Sequence, residues 1–174
     1  MSTSSKQLTN NEFDANYFRK ALSQFATGIT VITTRLEDGS LVGMTASSFN
    51  SVSLSPPLVL WSLACKSASM QAFLNASHYV INVLSVHQAG LAEQFARKDI
   101  DRFTNVDFSL SDNGHPVLAG SSAWFECKNR SRYPEGDHVI FVGEVVQCVA
   151  EPQAALVYHG SAFATTAKIT DAIN

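Results

Sequence analysis

The chain has 174 residues, a net charge of −3, 45% apolar and 16% charged side chains. That suits one domain with a full core rather than two, and without a basic block it excludes nucleic acid as a partner class. No run approaches the roughly 20 apolar residues of a membrane span, so no membrane association is expected.

Residues 1–12 read as a tail, residues 13–165 as one domain and residues 166–174 as a second tail. Asp14 is placed to cap a helix in which Phe18, Ala21, Leu22 and Phe25 fall at i, i+3, i+4 and i+7. That stripe is expected to pack on the core, and Gly28 suits the position just past the helix end. Residues 29–33 and 41–44 then flank Glu37-Asp38-Gly39-Ser40, and Asp-Gly between two strand-like runs signals a hairpin. The second strand runs into Gly43-Met44-Thr45-Ala46-Ser47-Ser48-Phe49. Small residues let a flat or anionic ligand approach the backbone, leaving N–H groups and hydroxyls to bind it. An ordinary Ser/Thr-rich loop after a strand is the plainer alternative.

Pro56-Pro57 rules out helix and begins an extended run, residues 58–63, apolar on both faces as in a buried strand. Cys65-Lys66-Ser67-Ala68-Ser69 precedes Met70, Phe73 and Leu74 at helical spacing. Ser67 or Ser69 can cap this short helix with Lys66 just ahead of it. The residues leave two readings open, a phosphate site or a simple cap beside a solvated lysine. Residues 79–84 read as a strand, and Ser85-Val86-His87-Gln88 as a capping box opening a helix with Leu91, Ala92 and Phe95 on one face.

The charged loop at residues 97–103 is long enough to cover a site. Asp112-Asn113-Gly114 marks a turn. Two long strands follow, residues 123–132 and 138–150, joined by Tyr133-Pro134-Glu135-Gly136-Asp137, and residues 156–159 form a last strand. Trp61 and Trp124 read as core or interface aromatics, and Cys65 as a buried, inert thiol. Cys65, Cys127 and Cys148 form no C-x-x-C pair and the N-terminus lacks an apolar h-region, which points to a reducing, cytoplasmic setting. The five histidines lack metal-ligand spacing, so no metal is expected. Six or seven strands without βαβ alternation argue against a doubly wound sheet. They favour a mostly β fold, an antiparallel barrel with short helices around it.

Four features stand in order along this one domain. They are Phe25-Ala26-Thr27-Gly28-Ile29-Thr30-Val31-Ile32-Thr33-Thr34, then Gly43 to Phe49 with Ser53-Leu54-Ser55-Pro56-Pro57-Leu58, then Lys66-Ser67-Ala68-Ser69, then Gly136-Asp137-His138 leading to Gly143-Glu144-Val145. The series resembles the short-chain flavin reductase family, the reductase components of two-component flavin-dependent monooxygenases. The resemblance covers residues 13–163. It implies an FMN-binding type of antiparallel split β-barrel, a homodimer, and hydride transfer from NADH or NADPH to FMN or FAD. The reduced flavin would pass to a separate oxygenase.

By the same resemblance Thr45, Ala46, Ser47 and Ser48 match the loop that contacts the flavin ring and ribityl chain. Ser62, Lys66, Ser67 and Ser69 match the phosphate region, with Phe95, Ala96, Arg97 and Lys98 closing over it. His138 lies where the family has a histidine beside the nicotinamide, and Tyr158 and His159 would reach the pocket from a dimer partner. Hydride transfer to a flavin requires no protein nucleophile, which agrees with the lack of a Ser/His/Asp or Cys/His set. Two other readings fit the residues: a non-catalytic flavin carrier or sensor, and a split-barrel enzyme oxidising its own substrate.

Overall fold

The computed structural model describes residue 9 and residues 12–166, so most of both expected tails lies outside the described residues. Helix α1 (Ala15–Leu22) opens the fold, and the Asp14 carboxylate accepts from the Tyr17 N–H at 2.8 Å as the sequence predicts. Its end is not at Gly28. The helix stops at Ser23, and β1 (Thr27–Gly28) pairs instead with β11 (Leu156–His159). Nor does the apolar stripe reach the core: Phe18 is 50%, Leu22 56% and Phe25 71% exposed.

The central sheet has seven antiparallel strands in the order β3-β2-β6-β9-β10-β5-β4. Its members are β2 (Thr30–Arg35), β3 (Leu41–Ala46), β4 (Asn50–Leu54), β5 (Pro57–Ala64), β6 (His78–Val83), β9 (Ala123–Glu135) and β10 (His138–Ala150). The ladder does not close, so β3 and β4 are its edges. The predicted hairpin at Asp38-Gly39 joins β2 to β3, with Gly39 at φ 86°, and Gly136-Asp137 joins β9 to β10. Short β7 (Phe108–Leu110) and β8 (Pro116–Leu118) form a separate hairpin at the Asp112-Asn113-Gly114 turn, and β12 (Ala162–Thr165) pairs with β11. None of β4, β7, β8 and β12 is foreseen as a strand from the sequence.

Inside the curled sheet lies a core of Ile32, Trp61, Leu63, Phe73, Tyr79, Ile81, Cys127 and Phe141. Trp61 is fully buried and stacks on Phe141 with centroids 4.6 Å apart, so it is a core residue as expected. The phenol of Tyr79 and the thiol of Cys127 are both pushed up by burial, that of Cys127 to about 12. A second cluster on the outer face gathers Ile29, Val31, Leu84, Phe95, Leu118 and Leu156 under helix α3 (Ala89–Ala96). Residues 30–34 of β2 are therefore buried on both faces. Strand β5, expected to be buried on both, alternates instead. Val59, Trp61 and Leu63 point to the core, while Ser62 and Ala64 line a cleft.

Candidate functional site

The cleft has a volume of about 560 Å³ and lies beside the free edge of β3, opposite the end of β5. Clefts of this size hold cofactor-sized ligands. The segment leading into helix α2 (Met70–Asn75), helix α3 with the loop after it, and the start of β10 complete its rim. Sequence alone predicts Thr45, Ala46, Ser47, Ser48, Ser62, Lys66, Ser67, Phe95, Ala96, Lys98 and His138 as site residues, and all line this one cavity.

Four predicted residues, Ser69, Arg97, Tyr158 and His159, do not line it. Ser69 is buried at the start of α2, its Oγ 3.4 Å from the Arg102 guanidinium. Arg97 lines a separate depression with Gly90 and Glu93. Tyr158 packs in the outer cluster and meets Phe163 edge-on, so within one chain it does not reach the cleft. Cys65, next to Lys66, is exposed and not the buried thiol expected.

The small residues after β3 behave differently from one another. Thr45 Oγ1 donates to the Ala92 carbonyl at 2.6 Å and so ties β3 to α3. Ser48 Oγ donates to the Ser62 carbonyl (3.1 Å) and accepts from the Ser62 N–H (2.9 Å), so it joins the loop to β5. Both hydroxyls, expected to serve a ligand, are occupied by the main chain. What remains is the Ser47 hydroxyl and the backbone: the N–H groups of Ser47 and Ser48 have no acceptor among the described residues. Unpaired N–H groups at a cleft wall are donors awaiting a ligand.

Gly43 lets the α3 side of the site pack on β3. A Cβ there would lie 2.4 Å from Phe95 Cε1, so only glycine lets the Phe95 ring close against β3. Arg102 and Asp99 are lining residues that sequence reasoning did not single out, although it marked their loop as a cover. The Arg102 guanidinium donates to the carbonyls of Gly43 and Arg97, both at 2.8 Å, and so pins that loop to β3. Lys66, Lys98 and Arg102 line the cleft, and none forms an ion pair among the described residues. His138 stands half exposed on the same wall, its Nδ1 2.6 Å from Asp137 Oδ1. Among the described residues no cluster of three or more His, Cys, Asp or Glu is arranged to hold a metal.

Backbone donors beside small side chains, with unpaired cations on the same wall, fit a flat heterocycle carrying a phosphate. Residues 22–167 match the family described as the Flavin reductase like domain. The chain belongs to that family. This flavin reductase-like chain is 44% identical over 146 residues to the FMN reductase (NADH) SmoA of Agrobacterium fabrum, covering 84% of the chain and 83% of that protein. It is 41% identical over 157 residues to the reductase component of the flavin-dependent trigonelline monooxygenase of Acinetobacter baylyi. There the match covers 90% of the chain but 51% of the relative, so the chain spans about half that protein's length. Among solved structures it is similar to the Streptomyces globisporus C-1027 NADH:FAD oxidoreductase SgcE6 in complex with NAD and FAD fragments. That likeness has a TM-score of 0.87 at 34% identity and covers 94% of this chain and 98% of the other.

Proposed function

We propose that the chain is an NADH-dependent flavin reductase that reduces FMN or FAD and supplies the reduced flavin to a separate monooxygenase component. The observation that carries this reading is the cleft wall, where free backbone donors at Ser47 and Ser48, unpaired cations and His138 share one cavity. The names of its relatives, an FMN reductase (NADH) and a monooxygenase reductase component, support it. A bound flavin supplies the hydride acceptor itself. The protein's part is to bind and orient. The Ser47 and Ser48 N–H groups would hold the polar edge of the ring, and Lys66, Lys98 and Ser67 the phosphate. His138 would position the nicotinamide.

Residues 13–165 are the proposed folding unit, and the exposed face of α1 supports a homodimer. The three free thiols suit a cytoplasmic protein, and no helix among the described residues is long and apolar enough to cross a membrane. The test is anaerobic mixing of purified protein, NADH and excess FMN or FAD, following loss of flavin absorbance. Many turnovers of added flavin per protein are expected, slower with NADPH. A rate equal to that of the protein-free mixture would reject the reductase and favour a carrier.

A further inference from the structure

Asp137 does not line the cleft, yet its carboxylate meets the ring of His138, which does. The contact is short, 2.6 Å between Nδ1 and Oδ1. The hydrogen bond from His138 holds the Asp137 carboxyl below the usual carboxylate range, and the charge of Lys66 adds to this. The backbone around the pair is fixed. The Cys65 N–H donates to the Asp137 carbonyl at 2.9 Å, and His138 lies in register with Ala64 of β5 and Glu135 of β9. An ionised carboxylate is an acceptor only, so the ring nitrogen facing it carries the proton. A neutral imidazole has one donor and one acceptor nitrogen. With Nδ1–H committed to Asp137, Nε2 is the acceptor, and among the described residues it has no partner.

We propose that Asp137 is a positioning residue that fixes the Nδ1–H tautomer of His138, so that Nε2 accepts a hydrogen bond from the carboxamide N–H of the nicotinamide co-substrate. This assignment rests on the reading of the cleft as a flavin and nicotinamide site. It makes the pair specificity-determining. The opposite tautomer would present N–H and pair with the carboxamide oxygen, which the 3-acetylpyridine analogue of NADH also offers. Only the Nδ1–H form distinguishes the two, because the analogue has no amide N–H to donate.

The tautomer is read directly from two-bond proton–nitrogen correlations of the His138 ring in flavin-free, nitrogen-15-labelled protein at about pH 9, above the ordinary imidazole range. The native protein is expected to show the Nδ1–H pattern, and Asp137→Ala to shift it towards Nε2–H. In steady-state kinetics the native enzyme should favour NADH over the reduced acetylpyridine analogue in KM. Asp137→Ala should reduce that preference about fivefold, the worth of one neutral hydrogen bond. His138→Ala should abolish it and raise the KM for NADH. An unchanged KM in His138→Ala would reject the nicotinamide-side reading, and this assignment with it. If His138→Ala is impaired but Asp137→Ala keeps the Nδ1–H tautomer or the full preference, the role of Asp137 alone is overturned.

Discussion

The hydroxyl of Ser48 serves the protein before any ligand, because its one proton and one of its lone pairs go to the main chain of Ser62. Residue identity at this loop was legible in the sequence, but the division of labour was not. A serine hydroxyl and a serine N–H look alike in a string of letters, and only the distant partner decides which is free. Arg102 was hidden for the same reason, since its acceptor on Gly43 lies far away along the chain. Lys66 is the residue whose proposed role separates most cleanly. It should recognise a phosphate and nothing else, so Lys66→Ala should weaken FMN binding by about 10- to 100-fold, the loss of one charge-assisted bond. Riboflavin, lacking the phosphate, should bind as before. Fluorescence titration with both ligands checks this, and equal losses would reject the role.

Elements were legible where local chemistry specifies them. The Asp14 cap, the Ser85–Gln88 capping box and the Asp38-Gly39 turn are set by neighbours three or four residues away, and each stands where predicted. Strands β4, β7, β8 and β12 were missed because they are short and draw their order from partners elsewhere in the chain. The β7–β8 hairpin is held on the outer face of the central sheet by polar bonds. Thr33 Oγ1 donates to the Pro116 carbonyl at 2.6 Å, Asn82 Oδ1 accepts from the Leu118 N–H at 2.8 Å, and the Ser111 hydroxyl donates to buried Glu126.

His115 belongs to this contact, its Nδ1 accepting from the Arg35 N–H at 3.1 Å. Burial lowers its pKa from 6.5, against the opposing pull of Glu126. The unfolded chain therefore binds the proton more readily than the folded one, and stability rises with pH in the interval just below 6.5. Acid should loosen the fold as pH falls through that value. Denaturant unfolding from pH 7.5 to 5.5 should show the slope, and His115→Gln should flatten it while the native trend at higher pH persists.

For the whole molecule, alternation and turn signals sufficed to predict an antiparallel β architecture. They could not show where the sheet stays open, because the free edge of β3 is a property of all seven strands together. The misplaced stripe on α1 has a similar origin. Its spacing is that of a packed helix, but among the described residues nothing covers it beyond the stack of Phe13 on Phe18. Burying Phe18, Leu22 and Phe25 against a second copy would remove that apolar area from water. Sedimentation should find a dimer. Phe18→Asp combined with Leu22→Asp should give a monomer with unchanged helix content by circular dichroism, and a native protein that sediments as a monomer would reject the pairing.

The opening beside β3 also bears on residence time. A ligand lodged there would touch loop backbone, side chains and one strand edge, and among the described residues no strand ladder runs across the cleft. Departure then requires its own contacts, and at most the Arg102 bonds that pin the covering loop, to break, while all six strand pairings of the central sheet persist. Occupancy would be short or long according to how many phosphate and ring contacts a given flavin makes, independently of how firmly the barrel is folded. A stable scaffold and a rapidly exchanging passenger are compatible in such a molecule.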